Sequence, residues 1–157
     1  MYSVFDQFCL AQQRNNCRGL VVVSGESIDC ERSVLQLAQR LPEQSHAKGD
    51  KSEGLTASAD EASESSALKQ TSTLLWIADD LPQNYSSGDN SYSESLVLRH
   101  VHRAKAKQLL GSDIGHVVVN AHHGLDLNTL GVISGALRGG HLLFLLTPTL
   151  ENWAEFD

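Results

Sequence analysis

Two short apolar runs, separated by a segment of helical period, constrain the fold of this chain more than any other feature. Residues 116–121 form the first run, which is rich in valine and does not alternate with polar residues, as in a strand covered on both faces. Residues 141–147 form the second run. Its periodicity fits a helix or a strand, but its short length, the two glycines before it and Pro148 after it favour a strand.

The segment between these runs has the pattern of an amphipathic helix. Its apolar face is formed by residues at three- and four-residue steps, namely Leu127, Leu130, Ile133, Ser134 and Leu137. Asp126 or Asn128 can cap the start of the helix, and Gly139-Gly140 suits its end, because a left-handed backbone is needed there. A strand–helix–strand unit of this kind implies a parallel sheet.

The other periodic segments extend this unit into an α/β domain. We predict helices at residues 1–16, 30–41 and 94–110, a helical tail holding Trp153, and strands at residues 20–23, 74–77, 116–120 and 142–146; a short strand at Leu96–Leu98 is an alternative for the start of the third helix. The predicted fold is a three-layer αβα sandwich with a parallel, four-stranded, Rossmann-like sheet. We expect the strand order 2-1-3-4, because right-handed crossovers then cover both faces of the sheet.

Length and composition predict a single domain over residues 1–157, interrupted by a flexible insertion. A chain of 157 residues can bury about two-thirds of its unfolded surface. Residues 44–72 hold almost no large apolar side chain, so they bury too little surface to offset the entropy of ordering them. No apolar run approaches the roughly 20 residues that span a membrane. Three cysteines without a Cys-x-x-Cys spacing fit free thiols in a reducing compartment.

The negative charge of the chain is concentrated in one region. The formal net charge is −7, and residues 43–94, with ten acidic residues and three lysines, account for all of it. Such a chain is a poor general binder of nucleic acid, because phosphate affinity comes mainly from clustered Lys and Arg. One basic cluster exists. Arg99, Arg103 and Lys107 recur at four-residue steps, so a helix would place them on one outer face. With His102 and Lys105 they are candidate RNA contacts, and a solvated charged face is the alternative.

The sequence carries no pattern typical of a catalytic or metal site. Ser24–Ser27 follows the first predicted strand, where parallel sheets place phosphate loops, but the P-loop and Gly-x-Gly-x-x-Gly patterns are lacking. A strand-to-helix turn is the favoured interpretation. His122-His123 follows the third strand, yet adjacent histidines on an extended chain point in opposite directions and share a metal poorly, even with Asp126 nearby. Nothing places a histidine beside Cys30, which we interpret as a core thiol.

Four blocks of the sequence resemble, in the same order, the N-terminal domain of the bacterial tRNA(Met) cytidine acetyltransferases. These blocks are Arg18–Glu26, Leu74–Ile77, Gln108–Asp113 and His116–Trp153. The family consists of large enzymes that place an acetyl group on a wobble-position cytidine. No single block is as specific as a metal or nucleotide signature, so the resemblance rests on the order of the blocks.

This resemblance implies a role for the chain inside a larger enzyme. In the family, the domain precedes a helicase-like ATPase module and an acetyltransferase module, so the chain would be an excised N-terminal domain without catalytic residues. The parent would acetylate N4 of the wobble cytidine of elongator tRNA(Met). Acetyl-CoA and ATP or GTP with Mg would bind in its other modules, and no cofactor in this chain. The parent would be cytoplasmic, with no membrane partner.

Two further implications concern what this domain contacts. It would pack against the other modules or guide tRNA(Met). Gly131, Ser134 and Gly135 are candidates for the module interface, because glycine inside a helix costs about 0.5–1 kcal/mol relative to alanine and close packing would compensate that cost. The alternative function is that of a stand-alone α/β domain that binds a small ligand or a nucleotide.

Deletion of the predicted insertion should leave the domain folded. If residues 44–72 supply charge but no core, replacing them with a short Gly-Ser linker should shift the melting temperature by only a few degrees. Thermal unfolding followed by circular dichroism measures this shift. Loss of cooperative unfolding in the deletion variant would show that the segment packs against the domain.

Overall fold

The structure is a computed structural model that describes residues 3–41, 72–82, 85 and 96–151. The predicted tail around Trp153 and nearly all of the predicted insertion lie outside these residues. The described elements, in chain order, are α1 (Val4–Arg14), β1 (Gly19–Ser24), α2 (Ser27–Ala38), β2 (Ser72–Ala78), β3 (Leu96–His102), a 3₁₀ helix (Arg103–Leu109), β4 (His116–Asn120), α3 (Leu127–Ala136) and β5 (Leu142–Thr147). Ser72 belongs to β2, so a clean deletion of the insertion ends at residue 71.

The five strands form one parallel sheet in the order β1-β5-β4-β2-β3. The predicted parallel α/β fold is confirmed, whereas the predicted number of four strands and the order 2-1-3-4 are wrong. Burial explains the order. Every residue of β4 and β5 is buried, as in interior strands, while β1 alternates between more and less exposed positions and lies at an edge.

The predicted helix over residues 94–110 is wrong. Residues 96–102 form β3, so the alternative of a strand at Leu96–Leu98 identifies its start, and the 3₁₀ helix Arg103–Leu109 follows directly. The β-branched Val97 and Val101 favour a strand. Leu96 packs on one face of the sheet and Val101 on the other, as expected for side chains that point alternately to the two faces of a strand.

Apolar side chains form two clusters, one on each face of the sheet. The α2-side cluster joins α1 and α2 to alternate strand residues and includes the fully buried Trp76 and Phe144. The α3-side cluster joins α3 and the 3₁₀ helix to the intervening strand residues, such as Val117 and Leu145. Helices thus contribute to both faces, and this supports the three-layer arrangement as an interpretation.

The helix ends follow ordinary capping chemistry. Ser3 caps α1 by accepting a hydrogen bond from the Asp6 N–H, and the Asp6 carboxylate accepts one from the Ser3 N–H. Arg40 donates to the same carboxylate at 3.0 Å, which ties α1 to the residues after α2. Asp126, one of the two predicted caps, accepts from the Asn128 N–H at 2.9 Å and begins α3.

Two buried histidines have their rings in tilted contact at the amino ends of β4 and β5. The rings of His116 and His141 have centroids 4.8 Å apart. The Nδ1 atom of His116 accepts a hydrogen bond from the Leu142 N–H at 3.1 Å, so this nitrogen carries no proton. Burial, with a smaller contribution from His141, lowers the pKa of His116 to about 4. Burial also lowers the pKa of His141.

The free energy of unfolding should therefore fall as the pH drops below 6.5, the pKa of a free histidine. The unfolded chain takes up a proton at His116 near pH 6.5 and the folded chain only near pH 4, so acid favours unfolding in this window. His116 alone should remove about 3 kcal/mol of stability between pH 7 and pH 4. Urea unfolding of wild type and His116→Gln at several pH values measures this. Equal pH slopes for the two proteins would contradict the assignment.

Candidate functional site

The carboxyl ends of β1, β5 and β4 form the edge where open parallel sheets bind ligands. The connection after β1 is α2, on one face of the sheet, and the connection after β4 is α3, on the other. A crevice opens where neighbouring connections leave toward opposite faces. The groups at that edge include the side chains of Asn120 and His122 and the backbone of Gly25.

A hydrogen-bonded network of the protein's own groups lies at this edge. The Nδ2 group of the buried Asn120 donates to the Glu31 carboxylate at 3.3 Å. The Asn120 Oδ1 atom accepts from the His122 N–H at 3.0 Å and lies 2.9 Å from His122 Nδ1. The Nε2 atom of His122 lies 2.9 Å from the carbonyl oxygen of Gly25. The side chain of His122 therefore links the loop after β4 to the loop after β1.

Both ring nitrogens of His122 face oxygens that act as acceptors. The Asn120 amide is oriented by its donation to Glu31, so its oxygen is the atom that faces the ring. Each ring nitrogen lies 2.9 Å from an oxygen of the protein itself. Neither nitrogen is therefore turned toward a substrate or a metal. We interpret this network as a structural tie between two loops.

The Ser24–Ser27 segment is a strand-to-helix turn, as the sequence predicts. Gly25 has φ 149°, which favours glycine, and its N–H donates to the carbonyl of Thr147 at 3.0 Å. Helix α2 then begins behind Glu26, whose side chain makes no capping hydrogen bond. A phosphate loop needs several backbone N–H groups turned toward the ligand. The N–H of Gly25 instead serves the pairing of β1 with β5.

Cys30 is a buried thiol in the α2-side cluster. Its Sγ atom donates to the carbonyl of Val23 at 3.5 Å. Burial raises the pKa of the Cys30 thiol, and the nearby carboxylates of Asp29, Glu26 and Glu31 add to the shift. The thiolate that a nucleophile requires is therefore disfavoured. The structure places Cys30 in the core, as the sequence predicts.

Two of the candidate metal ligands, Asp126 and His122, contact other groups of the protein. Both carboxylate oxygens of Asp126 accept hydrogen bonds, from the Asn128 N–H and from the Thr129 hydroxyl. His122 belongs to the network above, and His123 is exposed. Across the described part of the chain, no three His, Cys, Asp or Glu side chains come close enough to hold a metal ion.

Arg103 lies inward, and this corrects the predicted basic face. A 3₁₀ helix has three residues per turn, so Arg103 shares its inner side with the buried Ala106. The guanidinium donates to the carbonyls of Gly124 at 3.0 Å, and of His123 and Asn120 at 3.4 Å. Its side chain is only 20% exposed and pairs with Asp79 at 3.5 Å. Arg103 therefore fastens the loop after β4.

The other four candidate RNA contacts are exposed but do not share a helix face. Arg99 lies on the edge strand β3. His102 ends that strand, caps the 3₁₀ helix through the Ala104 N–H and has its Nε2 atom 3.7 Å from an Asp79 oxygen. Lys105 and Lys107 are exposed on the 3₁₀ helix. The basic stripe predicted from four-residue spacing needed an α-helix, which the structure replaces by a strand and a 3₁₀ helix.

The small residues of α3 face outward. Gly131, Ser134 and Gly135 are exposed, and a Cβ atom added to either glycine would meet nothing within 4 Å. Close packing within the described domain therefore does not compensate for glycine in this helix. Arg18 is the residue that reaches this side, since its Nη1 group donates to the carbonyl of Ser134 at 3.2 Å.

Comparison with known proteins settles the family. A family model described as tRNA(Met) cytidine acetyltransferase TmcA, N-terminal, matches residues 1–157. The chain belongs to this TmcA N-terminal family. The resemblance found in the sequence is thereby confirmed.

Individual relatives carry the same name. The chain is 38% identical over 84 residues to a tRNA(Met) cytidine acetyltransferase TmcA of Nitrosococcus halophilus, covering 54% of this chain and 10% of that protein. It is 27% identical over 143 residues to the TmcA of Pectobacterium atrosepticum, covering 91% of this chain and 14% of that protein. The TmcA of Haloferax volcanii is 42% identical over 60 residues, 38% of this chain and 8% of that protein. The matched segments thus cover only 8% to 14% of the length of these three TmcA relatives.

The network of Glu31, Asn120 and His122 is the feature that sequence reasoning missed in this TmcA-type domain. The hydrogen bond between Asn120 and Glu31 joins residues that are 89 positions apart along the chain. The available signal was Asn120, a polar residue that ends an otherwise apolar strand. Its partner could not be named without the strand order, because α2 lies over Asn120 only when β5 and β4 are near β1.

Arg103 and Arg99 should differ sharply as alanine variants. Arg103→Ala leaves carbonyls of the β4–α3 loop without their donor, so it should cost about 1–3 kcal/mol of folding stability. Arg99→Ala removes an exposed arginine and should change stability by no more than about 0.5 kcal/mol. Urea unfolding of both variants at pH 7 compares them. Equal losses would show that the Arg103 contacts do not stabilise the fold.

Proposed function

We propose that this chain is the accessory, non-catalytic N-terminal domain of an enzyme that acetylates N4 of the wobble cytidine of elongator tRNA(Met). The observation that carries this proposal is the family match over residues 1–157. The relatives are named tRNA(Met) cytidine acetyltransferase and extend well beyond the matched segment. In our proposal, acetyl-CoA and ATP or GTP with Mg bind in the other modules of that cytoplasmic enzyme.

The described chemistry of the domain supports a role without catalysis. At the carboxyl edge, Asn120 is hydrogen-bonded to both Glu31 and His122. The thiol of Cys30 is buried and its pKa is raised. Asn120, His122, Glu31 and Cys30 thus have structural contacts with other groups of the domain. These contacts also disfavour the alternative of a nucleotide-binding domain.

Two forms of accessory role follow, module packing and tRNA guidance. Packing is supported by the exposed Gly131, Ser134 and Gly135 on α3. Guidance of tRNA would rest on Arg99, Lys105 and Lys107, the exposed cations near the β3 edge. Arg103 is left out of this set because its guanidinium binds backbone carbonyls. Within the described residues, no helix reaches the length and apolarity of a membrane span.

Charge reversal tests the tRNA-guiding form of the proposal. In the whole enzyme, Arg99→Glu, Lys105→Glu and Lys107→Glu together should weaken tRNA(Met) binding several-fold and flatten its salt dependence, because each phosphate contact releases counterions. Filter binding across a salt series measures both quantities. Arg14→Glu with Arg32→Glu, on α1 and α2, is the control, and it should leave affinity and salt slope unchanged. An unchanged salt slope in the triple variant would leave module packing as the role.

Activity assays test the function itself. The whole enzyme should acetylate tRNA(Met) in the presence of acetyl-CoA and ATP, and the 157-residue chain alone should neither transfer acetyl groups nor hydrolyse ATP. Mass spectrometry of digested tRNA detects N4-acetylcytidine. Turnover by the isolated chain that a point substitution in it abolishes would contradict the non-catalytic role.

A further inference from the structure

The edge strand β1 presents uncovered apolar side chains. Leu20 is 56% exposed and Val22 is 45% exposed. Strands of parallel sheets are ordinarily covered on both faces. The intervening Val21 and Val23 do pack in the α2-side cluster. One face of β1 is therefore covered and the other is open.

The strand register places the open side chains on the face that α3 covers elsewhere. Leu20 pairs with Leu143 and Val22 with Leu145, and both leucines belong to the α3-side cluster. The hydrogen bond from Arg18 to the Ser134 carbonyl brings the start of β1 next to the outer side of α3. We define the β1–α3 surface as Leu20 and Val22 together with Gly131, Ser134 and Gly135, all of which are exposed.

We propose that the β1–α3 surface binds the polypeptide that follows this domain in the whole enzyme. This inference rests on the proposed function, in which the domain is the N-terminal part of a longer protein. The TmcA relatives are much longer than the matched segment, which covers only 10% and 14% of two of them. The occupant is therefore part of the same polypeptide, packed against Leu20 and Val22.

The path of the chain leads to this surface. Thr147, the last residue of β5, pairs with Ser24 at the end of β1, and its carbonyl accepts from the Gly25 N–H at 3.0 Å. Polypeptide that leaves β5 therefore starts directly beside β1. A short connection from there reaches Leu20 and Val22 without crossing another strand of the sheet.

The handedness of crossovers selects the same face. The step from β4 to β5 moves toward β1, and its helix α3 lies on the α3 side. The step from β1 to β2 moves the opposite way, and its helix α2 lies on the opposite face. Right-handed crossovers require this pairing of direction and face. A step from β5 to a further parallel strand beyond β1 would have the same direction as the step from β4 to β5. A right-handed connection to that strand would therefore run on the α3 side and cross the open face of β1.

The glycines of α3 leave room for a binding partner whose atoms come close to the helix backbone. A side chain at Gly131 or Gly135 would meet nothing within 4 Å in the domain, and glycine in a helix costs about 0.5–1 kcal/mol relative to alanine. A packed neighbour at van der Waals distance from the helix backbone would offset this cost. The apolar side chains of β1 and the bare backbone of α3 then contact the same neighbour.

Hydroxyl-radical footprinting tests the proposal directly. Leu20 and Val22 should be oxidised readily in the 157-residue chain and at least several-fold more slowly in the whole enzyme. Val97 is the matched control, because it is 48% exposed on the opposite edge strand β3, on the same face of the sheet. Its oxidation should be similar in both proteins. Equal oxidation of Leu20 and Val22 in the two proteins would overturn the proposal.

A pair of lysine variants provides the second readout. In the whole enzyme, Val22→Lys should weaken the packing of the domain, so that limited proteolysis between the domain and the next module becomes at least tenfold faster. In the 157-residue chain, the same substitution should leave the stability unchanged. Val97→Lys should change neither. Equal proteolysis of the Val22→Lys and wild-type enzymes would contradict the proposal.

Other occupants give different results. If the 157-residue chain dimerises through this surface, Leu20 and Val22 become protected with rising concentration of the isolated chain, and a second copy is the occupant. Protection in the isolated monomer would mean that the chain covers the surface itself. Either result overturns the proposal. Acetylation of tRNA is measured separately, so protection without acetylation would refute the proposed function and leave the docking surface standing.

Discussion

Strand β5 is the element on which the rest of the structure depends. It is hydrogen-bonded to β1 on one side and to β4 on the other, and all six of its residues are buried. Leu142, Phe144 and Leu146 belong to the α2-side cluster, and Leu143 and Leu145 to the α3-side cluster. A polar side chain in this run would lose water on either face without a guaranteed partner. Both apolar clusters therefore depend on the uninterrupted apolar run Leu142–Leu146.

The sequence reveals the parallel α/β fold because the strand–helix–strand unit of β4, α3 and β5 has strong periodic patterns. It does not reveal the strand order, because each buried strand can pair with several others and the choice depends on contacts far apart in sequence. β3 is hidden for another reason. Its burial alternates only from Leu96 to Arg99, and Val97, Val101 and Ala104 also recur at helical steps. Short segments of this kind satisfy both periods, and the pairing with β2 decides between them.

The same limit applies to the site residues. Cys30 and the Ser24–Ser27 turn were predictable because their roles depend on their own segment, namely burial on α2 and the step from strand to helix. The role of Arg103 depends on the loop after β4, which the 3₁₀ helix brings to it. A cation that donates to several carbonyls holds the fold in place and has fewer donors for a phosphate. Charge spacing alone could not distinguish such an arginine from an exposed one.

The domain therefore places its open surface away from the edge where parallel sheets ordinarily bind ligands. At the carboxyl edge, Asn120, His122 and the Gly25 backbone satisfy one another. At the side of the sheet, Leu20 and Val22 remain in contact with water. Hydrogen bonds between buried polar groups make a region more rigid, whereas exposed apolar area favours association. The carboxyl edge is therefore held by internal hydrogen bonds, while the apolar side chains of Leu20 and Val22 favour contact with a neighbour at the side of the sheet.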